Sequence, residues 1–205
     1  MNISPTKSNI ITVIFILFII TVSLKADSPI TSTPIDSAYK DVEIVKYAKK
    51  LGKMDEKIAE YLHSTENKID VKAAVINAIG WSIDGTTNAK EYSLIVFSKS
   101  INKLILDDLN SDDLFCLGYL QVLDDYFHPK KAIRFIEKAK EFNDTSFTVA
   151  IIDALIRAQM LMNDQNNWCD MWKVVSKVFD DKQLVSDLKD TAKKIIYDYM
   201  ILYKC

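Results

Sequence analysis

Apolar side chains recur every three to four residues along most of the chain beyond residue 36. That spacing is the period of an α-helix with one buried face. Segment 70–81 shows it most clearly, because its apolar residues fall on one stripe: Val71, Ala74, Val75, Ala78 and Ile79. The pattern predicts helices over 37–51, 54–63, 70–81, 88–102, 111–127, 129–142, 145–162, 167–180 and 182–203. Residues 103–109 fit either an extension of the fourth helix or an extended segment.

Residues that start and stop helices support these boundaries. Gly52 follows the first predicted helix, where a left-handed residue ends many helices. Ser111 and Pro129 stand where a cap and a first helical residue are favoured. The chain has only four glycines and four prolines, too few for the many turns of a β-rich fold of this length. We therefore predict an all-α fold built from helical hairpins.

Three pairs of predicted helices, 70–102, 111–142 and 145–180, begin roughly 35 to 40 residues apart, a spacing typical of helical repeats. The middle pair carries Leu117-Gly118 in its first helix and Lys131-Ala132-Ile133, then FIEKAK at 135–140, in its second.

In these positions residues 111–144 resemble a tetratricopeptide or Sel1-like repeat. The resemblance implies close helix packing at Gly118 and Ala132, with Phe135 between them, and an adaptor that binds another protein. The first pair keeps only the Ile-Gly-Trp step at 79–81, and the third pair lacks the motif. A short TPR-like array and an irregular α-bundle are therefore both compatible with the sequence.

The N-terminus has the layout of a secretory signal peptide. A short polar start with Lys7 as its only charge precedes residues 10–24, which are apolar except for three hydroxyl residues. The run is shorter than the roughly 20 residues of a stable membrane-spanning helix. We predict a signal peptide over 1–26, cleaved after Ala26 or after Ser23, and a periplasmic or secreted protein with no stable membrane span after cleavage. An uncleaved anchor is the alternative.

Residues 27–36 (DSPITSTPID) predict a flexible linker, followed by a single α-helical domain over 37–205. Removing residues 1–26 would take away Lys7 and Lys25 and no acid, which changes the formal charge from −2 to −4. Proteins that bind nucleic acid carry a positive surface. We therefore expect no nucleic-acid partner.

The chain contains three cysteines, Cys116, Cys169 and Cys205. Cys169 lies at the start of one predicted helix and Cys205 at the end of the next, and antiparallel neighbours bring such ends together. We predict a Cys169–Cys205 disulfide, with Cys116 as a small apolar core residue. Three free thiols are the alternative.

Residues able to carry chemistry are scattered. His63 and His128 have no metal-ligating neighbour at ligand spacing, and we expect them at surface or capping positions. Asp108, Asn110 and Asp112 begin like a calcium loop, but the glycine that its sharp turn needs is absent. Glycoside hydrolysis needs two carboxyl groups roughly 5–10 Å apart across a sugar, whereas adjacent acids on a helix point apart, as at 107–108, 112–113, 124–125 and 180–181. We expect no catalytic residues, metal or cofactor.

Two tryptophans border polar loops: Trp81 precedes residues 82–87, and Trp168 follows residues 163–167. Large aromatic residues at loop edges often anchor a protein partner. Trp81, Asp84 in the first loop, and Trp168 are therefore candidate partner-binding residues. Packing of the tryptophans at the edge of the core is the alternative.

These observations predict an exported, non-enzymatic, α-helical protein-binding module. It would be either a TPR/Sel1-like adaptor or a periplasmic immunity-type protein that blocks a secreted toxin, with acidic loops complementing a basic toxin face. The main alternative is an enzyme that acts on envelope polysaccharide through an unrecognised carboxylate site. A small-molecule carrier would require a cavity between the apolar helices.

Overall fold

The predicted apolar stripes become buried helix faces in a computed structural model, which describes residues 28–162 and 167–205. Across these residues the fold is all-α, with no β-strand, as predicted. The predicted signal peptide lies outside them, as does most of the loop before Trp168. The α-helices are α1 Glu43–Leu51, α2 Glu56–His63, α3 Ile69–Ile79, α4 Asn88–Phe97, α5 Ser111–Asp124, α6 Lys130–Phe142, α7 Phe147–Leu161, α8 Trp168–Asp180 and α9 Asp190–Met200. Short 3-10 helices span Ile35–Tyr39, Ile101–Lys103, Leu106–Asp108 and Ile201–Tyr203.

Side-chain caps set several helix ends. Gly52 ends α1 in the left-handed conformation, with φ 66°, as its position predicted. The cap of α5 is Asn110 rather than Ser111, since the Asn110 side chain accepts a hydrogen bond from the Asp113 N–H at 2.8 Å. Ser146 caps α7 through the Val149 N–H at 3.1 Å. Capping therefore fixes where these helices begin more closely than apolar spacing does.

The last predicted helix, 182–203, begins later than expected, at Asp190. Val185 instead pairs with the chain before α7: its N–H donates to the Thr145 carbonyl at 2.7 Å, and its carbonyl accepts from the Phe147 N–H at 3.2 Å. The Asp187 carboxylate then accepts a hydrogen bond from the Thr148 N–H at 2.8 Å. These bonds satisfy donors at the start of α7 that would otherwise lack partners.

Two of the three predicted hairpins form, α5 with α6 and α7 with α8. The predicted pairing of α3 with α4 is wrong, because α3 packs mainly on α1 and the 3-10 helix Ile35–Tyr39, while α4 packs on α5 and α2. Helix α5 lies at the centre of the bundle. Its apolar residues are buried on all sides, as its sequence predicted: Leu114, Phe115, Cys116, Leu117, Tyr119, Leu120, Val122 and Leu123.

Helices α5 and α6 approach closely at Gly118. A Cβ atom at Gly118 would lie 3.1 Å from the backbone nitrogen of Ile136 and 3.4 Å from the Cβ of Phe135. Ala132 and Phe135 are fully buried in the same interface. The short side chains therefore allow the backbones to approach, and Phe135 fills the space beside them.

The predicted flexible linker is part of the packed domain. Ile30 and Ile35 are fully buried, and the Ser28 hydroxyl donates a hydrogen bond to the Gln159 side chain on α7. Segment 28–36 is rich in polar residues, which suggested a solvated chain. Its two isoleucines nevertheless anchor it, because each buries its whole side chain in the core.

Cys169 and Cys205 lie at disulfide-bonding distance, with Cα atoms 5.5 Å apart, as predicted. The bridge ties the start of α8 to the end of the chain. Cys116 is a free thiol buried on α5.

Thiol counting tests this pairing. In guanidinium without reductant we expect one thiol, that of Cys116, to react with a thiol reagent, and none in the folded protein. Because the bridge closes a loop with a sequence separation of 36 residues, Cys205→Ser should lower the free energy of unfolding by about 3–4 kcal/mol. Three reactive thiols in the unfolded protein would contradict the pairing.

Candidate protein-interaction surface

The two candidate tryptophans lie at the same end of the bundle. Successive helices from α5 to α8 are antiparallel, so α5 and α7 end where α6 and α8 begin. Trp81 packs edge-on against Tyr126, just beyond α5, with ring centroids 5.1 Å apart. Trp168, the first residue of α8, packs edge-on against Tyr203 at 5.9 Å. The two rings keep 39% and 43% of their surface exposed. The structure therefore places them at the edge of the core and also within reach of a partner.

Trp81 belongs to a larger apolar patch, which we call the loop-end surface: Trp81, Ile83, Tyr126 and Phe127. The rings of Tyr126 and Phe127 lie 4.3 Å apart. Ile83 is 66% exposed and Phe127 is 54% exposed. Adjacent large apolar side chains that remain in water are typical of interaction sites. Sequence reasoning missed Ile83, because an isolated apolar residue in a loop carries no periodic signal. It missed Phe127 because the helix predicted to reach residue 127 ends at Asp124.

The loop that carries Trp81 and Ile83 is held by Asp124, at the end of α5. The Asp124 carboxylate accepts hydrogen bonds from the Asn88 N–H at 3.0 Å, the Ala89 N–H at 2.8 Å and the Thr86 hydroxyl. Its backbone carbonyl accepts from the Thr86 N–H at 3.1 Å. Gly85 (φ 80°) passes so close that a Cβ there would lie 3.1 Å from this carbonyl oxygen. Asp124 thus caps α4 and fixes the adjoining loop.

Burial raises the pKa of the Asp124 carboxyl above its usual value, although its hydrogen bonds act in the opposite direction. Asp84, the acidic candidate, is exposed in the same loop, and its backbone N–H bonds to the Ser82 hydroxyl at 3.3 Å. It lies beside the loop-end surface and is not part of the network around Asp124.

The loop-end surface continues into an apolar pocket of about 400 Å³. Phe127, Pro129 and Met160 supply its apolar wall, and Lys130 and Lys131 line the other side. His128, which also lines it, lies with its Nδ1 2.9 Å from Asp125 at the start of α6. The exposed side chain fits the surface position expected for this histidine, but His128 does not cap α6, whose N-cap is Pro129.

A second cluster of ionisable groups lies inside the bundle. Lys72 on α3 is fully buried and forms an ion pair with Asp112. The neighbouring Asp113 carboxylate is also buried; it accepts a hydrogen bond from the Tyr92 hydroxyl at 2.5 Å and lies 2.9 Å from His63 Nδ1. The side chain of His63 remains half exposed. Sequence reasoning missed the His63–Asp113 contact, since the two residues are 50 positions apart.

A buried aspartate that holds a histidine ring resembles the orienting pair of many acid–base catalysts. Here the cavities found in the described residues are lined by other side chains. Cys116, deeper in the same region, has its thiol pKa raised well above the usual value by burial, which disfavours the reactive thiolate. Within the cluster, Asp113 is engaged by Tyr92 and His63, and Asp112 by Lys72.

In the cleft between α6, α7 and α8, several carboxylates line one cavity. It measures about 250 Å³ and is lined by Asp144, Asp153 and Asp181, among others. Asp153 is buried, but both of its oxygens are paired: Oδ1 with Arg157 at 2.8 Å and Oδ2 with Lys140 at 3.1 Å. A carboxylate neutralised by two cations is poorly suited to serve as a nucleophile or as a general acid.

Comparison with protein-family models, with curated proteins and with solved structures finds no match. Within residues 28–162 and 167–205, no group of three or more His, Cys, Asp or Glu side chains is placed to hold a metal ion. None of the helices in these segments is long and apolar enough to cross a membrane.

The buried ion pair predicts an asymmetric response to mutation. Asp112→Asn should lower the free energy of unfolding by about 3 kcal/mol, because the Lys72 ammonium loses its buried counter-ion. The double variant Lys72→Met/Asp112→Asn should recover most of that loss, since no buried charge is left unpaired. Denaturant unfolding measures both, and a double variant no more stable than the single one would contradict this account.

The Asp124 anchor is tested by comparing it with its neighbour. Asp124→Ala should lower the free energy of unfolding by about 2 kcal/mol, because it removes the cap of α4 and leaves inward-facing N–H groups without an acceptor. Hydrogen exchange should accelerate across residues 80–89. Asp125→Ala should cost less than about 1 kcal/mol, because Asp125 forms surface ion pairs with Lys131 and His128.

The raised pKa of Asp124 also predicts how the stability difference between the wild type and Asp124→Ala changes with pH. A carboxyl group whose pKa is raised in the native state contributes most to the free energy of unfolding below its unfolded pKa of about 3.9. That contribution to stability falls as the pH rises through the native pKa. The stability advantage of the wild type over Asp124→Ala should therefore shrink from pH 4 upwards. An advantage that grows over this range would show that the native pKa is depressed.

Proposed function

We propose that this protein is an exported, non-enzymatic α-helical module that binds another protein through its loop-end surface. The observation that carries the proposal is the pair of exposed rings, Trp81 and Phe127, that pack on Tyr126, with the exposed Ile83 in the loop that Asp124 holds. A surface that is already ordered loses little conformational entropy on binding, so more of the contact energy appears as affinity.

The chemical state of the buried acids supports a binding role over an enzymatic one. Asp113 and Asp153 are engaged by partners within the domain. An enzyme that acts on envelope polysaccharide would need two available carboxyl groups facing a shared space. Of the three that line the cleft between α6, α7 and α8, the buried one, Asp153, is already paired with two cations. The aromatic loop-end surface, in contrast, has side chains whose apolar area remains in water.

Export is supported by two independent features. The first 26 residues have the layout of a signal peptide. Cys169 and Cys205 lie at disulfide-bonding distance, and disulfides persist in oxidising compartments outside the cytoplasm. We infer a periplasmic or secreted protein. Within that class, an adaptor and an immunity-type protein that blocks a secreted toxin differ in the identity of the partner.

Capture of the partner from the secreted and envelope fractions tests this proposal. Trp81→Ala and Phe127→Ala should each weaken binding of a captured protein at least tenfold, the usual loss when an interface aromatic anchor is truncated. Phe142→Ala is the matched control, because it truncates another half-exposed phenylalanine, at the far end of α6 from the loop-end surface.

Trp168→Ala separates the two sequence-predicted tryptophans. A loss equal to that of Trp81→Ala would extend the interface to α8, and wild-type binding would restrict it to the loop-end surface. Capture that is unaffected by both Trp81→Ala and Phe127→Ala would overturn the proposal.

A further inference from the structure

We propose that the loop-end surface continues into a cationic groove that binds an acidic segment of the partner protein. This inference rests on the proposed function and adds the chemistry of the partner. The groove lies between α5, the start of α6 and the 3-10 helix Ile101–Lys103, and it measures about 580 Å³. Its lining residues are Ile101, Asn102, Gln121, Lys130, Lys131 and Arg134.

The groove and the apolar pocket beside Phe127 share a wall. Lys130 and Lys131 line both cavities, so the cationic groove adjoins the pocket of Phe127 and Met160. One extended segment can therefore place an apolar side chain against Phe127 and an acidic side chain against the lysines. Such a pairing of an apolar anchor with charges at its edge is common in protein interfaces.

The cations of the groove outnumber the acids that neutralise them. Lys131 pairs with Asp125 at 2.8 Å, and that carboxylate is shared with His128. Although partial burial acts to raise the pKa of Asp125, hydrogen bonds from Lys131 and His128 lower it overall. Lys130 and Arg134 form no ion pair with the described residues. Three cations thus face the groove with one shared carboxylate, in a chain whose overall charge is −2.

The Arg134 guanidinium is positioned for a carboxylate. It lies 4.5 Å from the ring centroid of Phe135, and one of its nitrogens donates to the Ile101 carbonyl at 3.4 Å. These contacts orient the group and leave other N–H donors available. A planar guanidinium with free N–H groups binds a carboxylate through two parallel hydrogen bonds. Lys130, the first residue of the 13-residue helix α6, adds its charge at the positive end of the helix dipole.

Two amides complete the polar wall of the groove. Asn102 is exposed, and Gln121 has an amide oxygen that accepts no hydrogen bond within the described chain. Amide side chains beside cations suit a peptide backbone next to its carboxylate, since a backbone offers both donors and acceptors. The groove is positively charged, so it does not complement the basic toxin face that the acidic loops of the sequence suggested. At this surface the complementary partner is acidic.

Titration of the isotope-labelled folded protein with two blocked tetrapeptides tests the inference. The probes are Glu-Leu-Glu-Phe and its uncharged isostere Gln-Leu-Gln-Phe, followed by amide chemical shifts. We expect the acidic probe to move the resonances of Lys130, Lys131 and Arg134 and to bind at least about threefold more tightly, since one exposed ion pair changes affinity by up to about fivefold. The preference should weaken as salt is added.

A matched pair of variants controls for general charge. Lys130→Gln/Arg134→Gln should abolish the preference for the acidic probe. Lys50→Gln/Lys53→Gln should keep it, because these exposed lysines lie beside the end of α1, away from the groove. Equal binding of the two probes would overturn the inference. Inorganic phosphate that produces the same shifts with equal affinity would identify a small-anion site and would also overturn it.

Failure of this inference is distinguishable from failure of the proposed function. If partner capture depends on Trp81 and Phe127 but not on Lys130 and Arg134, the loop-end surface remains the binding site and the acidic partner segment is wrong. If capture depends on neither pair, the proposed function itself is wrong, whatever the probes show.

Discussion

The arrangement of the loop-end surface depends on one half-buried carboxylate. Asp124 is the last residue of α5, where the carbonyl end of the helix dipole disfavours a negative charge. Burial adds a further cost, which the raised pKa reflects. Both costs are offset because the carboxylate accepts the first N–H groups of α4, which no other cap satisfies. One side chain thus ends a helix, starts another and holds the loop of Trp81 against Tyr126.

Helix positions could be predicted from the sequence because apolar periodicity is local. The partner of each helix could not, because a stripe shows which face is buried but not what covers it. Helix α3 illustrates the limit. Four of its five predicted stripe residues are buried, but so are Lys72, Ala73 and Ile76, and the helix packs on α1 and not on α4. Segment 28–36 shows a related limit. Its polar composition suggests a solvated linker, and only the packed structure reveals that Ile30 and Ile35 are buried.

The site residues that could be predicted have a local sequence signal, whereas the missed ones depend on contacts that form only in the folded chain. The Cys169–Cys205 pair could be predicted because antiparallel neighbours bring helix ends together. Trp81 was recognisable as a large aromatic residue at a loop edge. Phe127 was not, because it joins Trp81 only through the Tyr126 ring, which lies between loops from different parts of the chain. Lys72 stands among apolar residues of α3 without any local sign that Asp112 neutralises it.

Two functional classes were considered for this chain, a carboxylate enzyme and a protein-binding module. They differ in whether the buried acids have hydrogen-bond or ion-pair partners within the domain. Catalysis by carboxylates requires acids whose charge or proton is available to a substrate. In the interior, Asp112, Asp113 and Asp153 are instead bound to lysine, arginine, tyrosine or histidine. At the loop end the situation is reversed: Phe127 keeps apolar area in water, and Lys130 lacks a counter-ion among the described residues. The interactions left unmade by folding therefore lie where a second protein can make them.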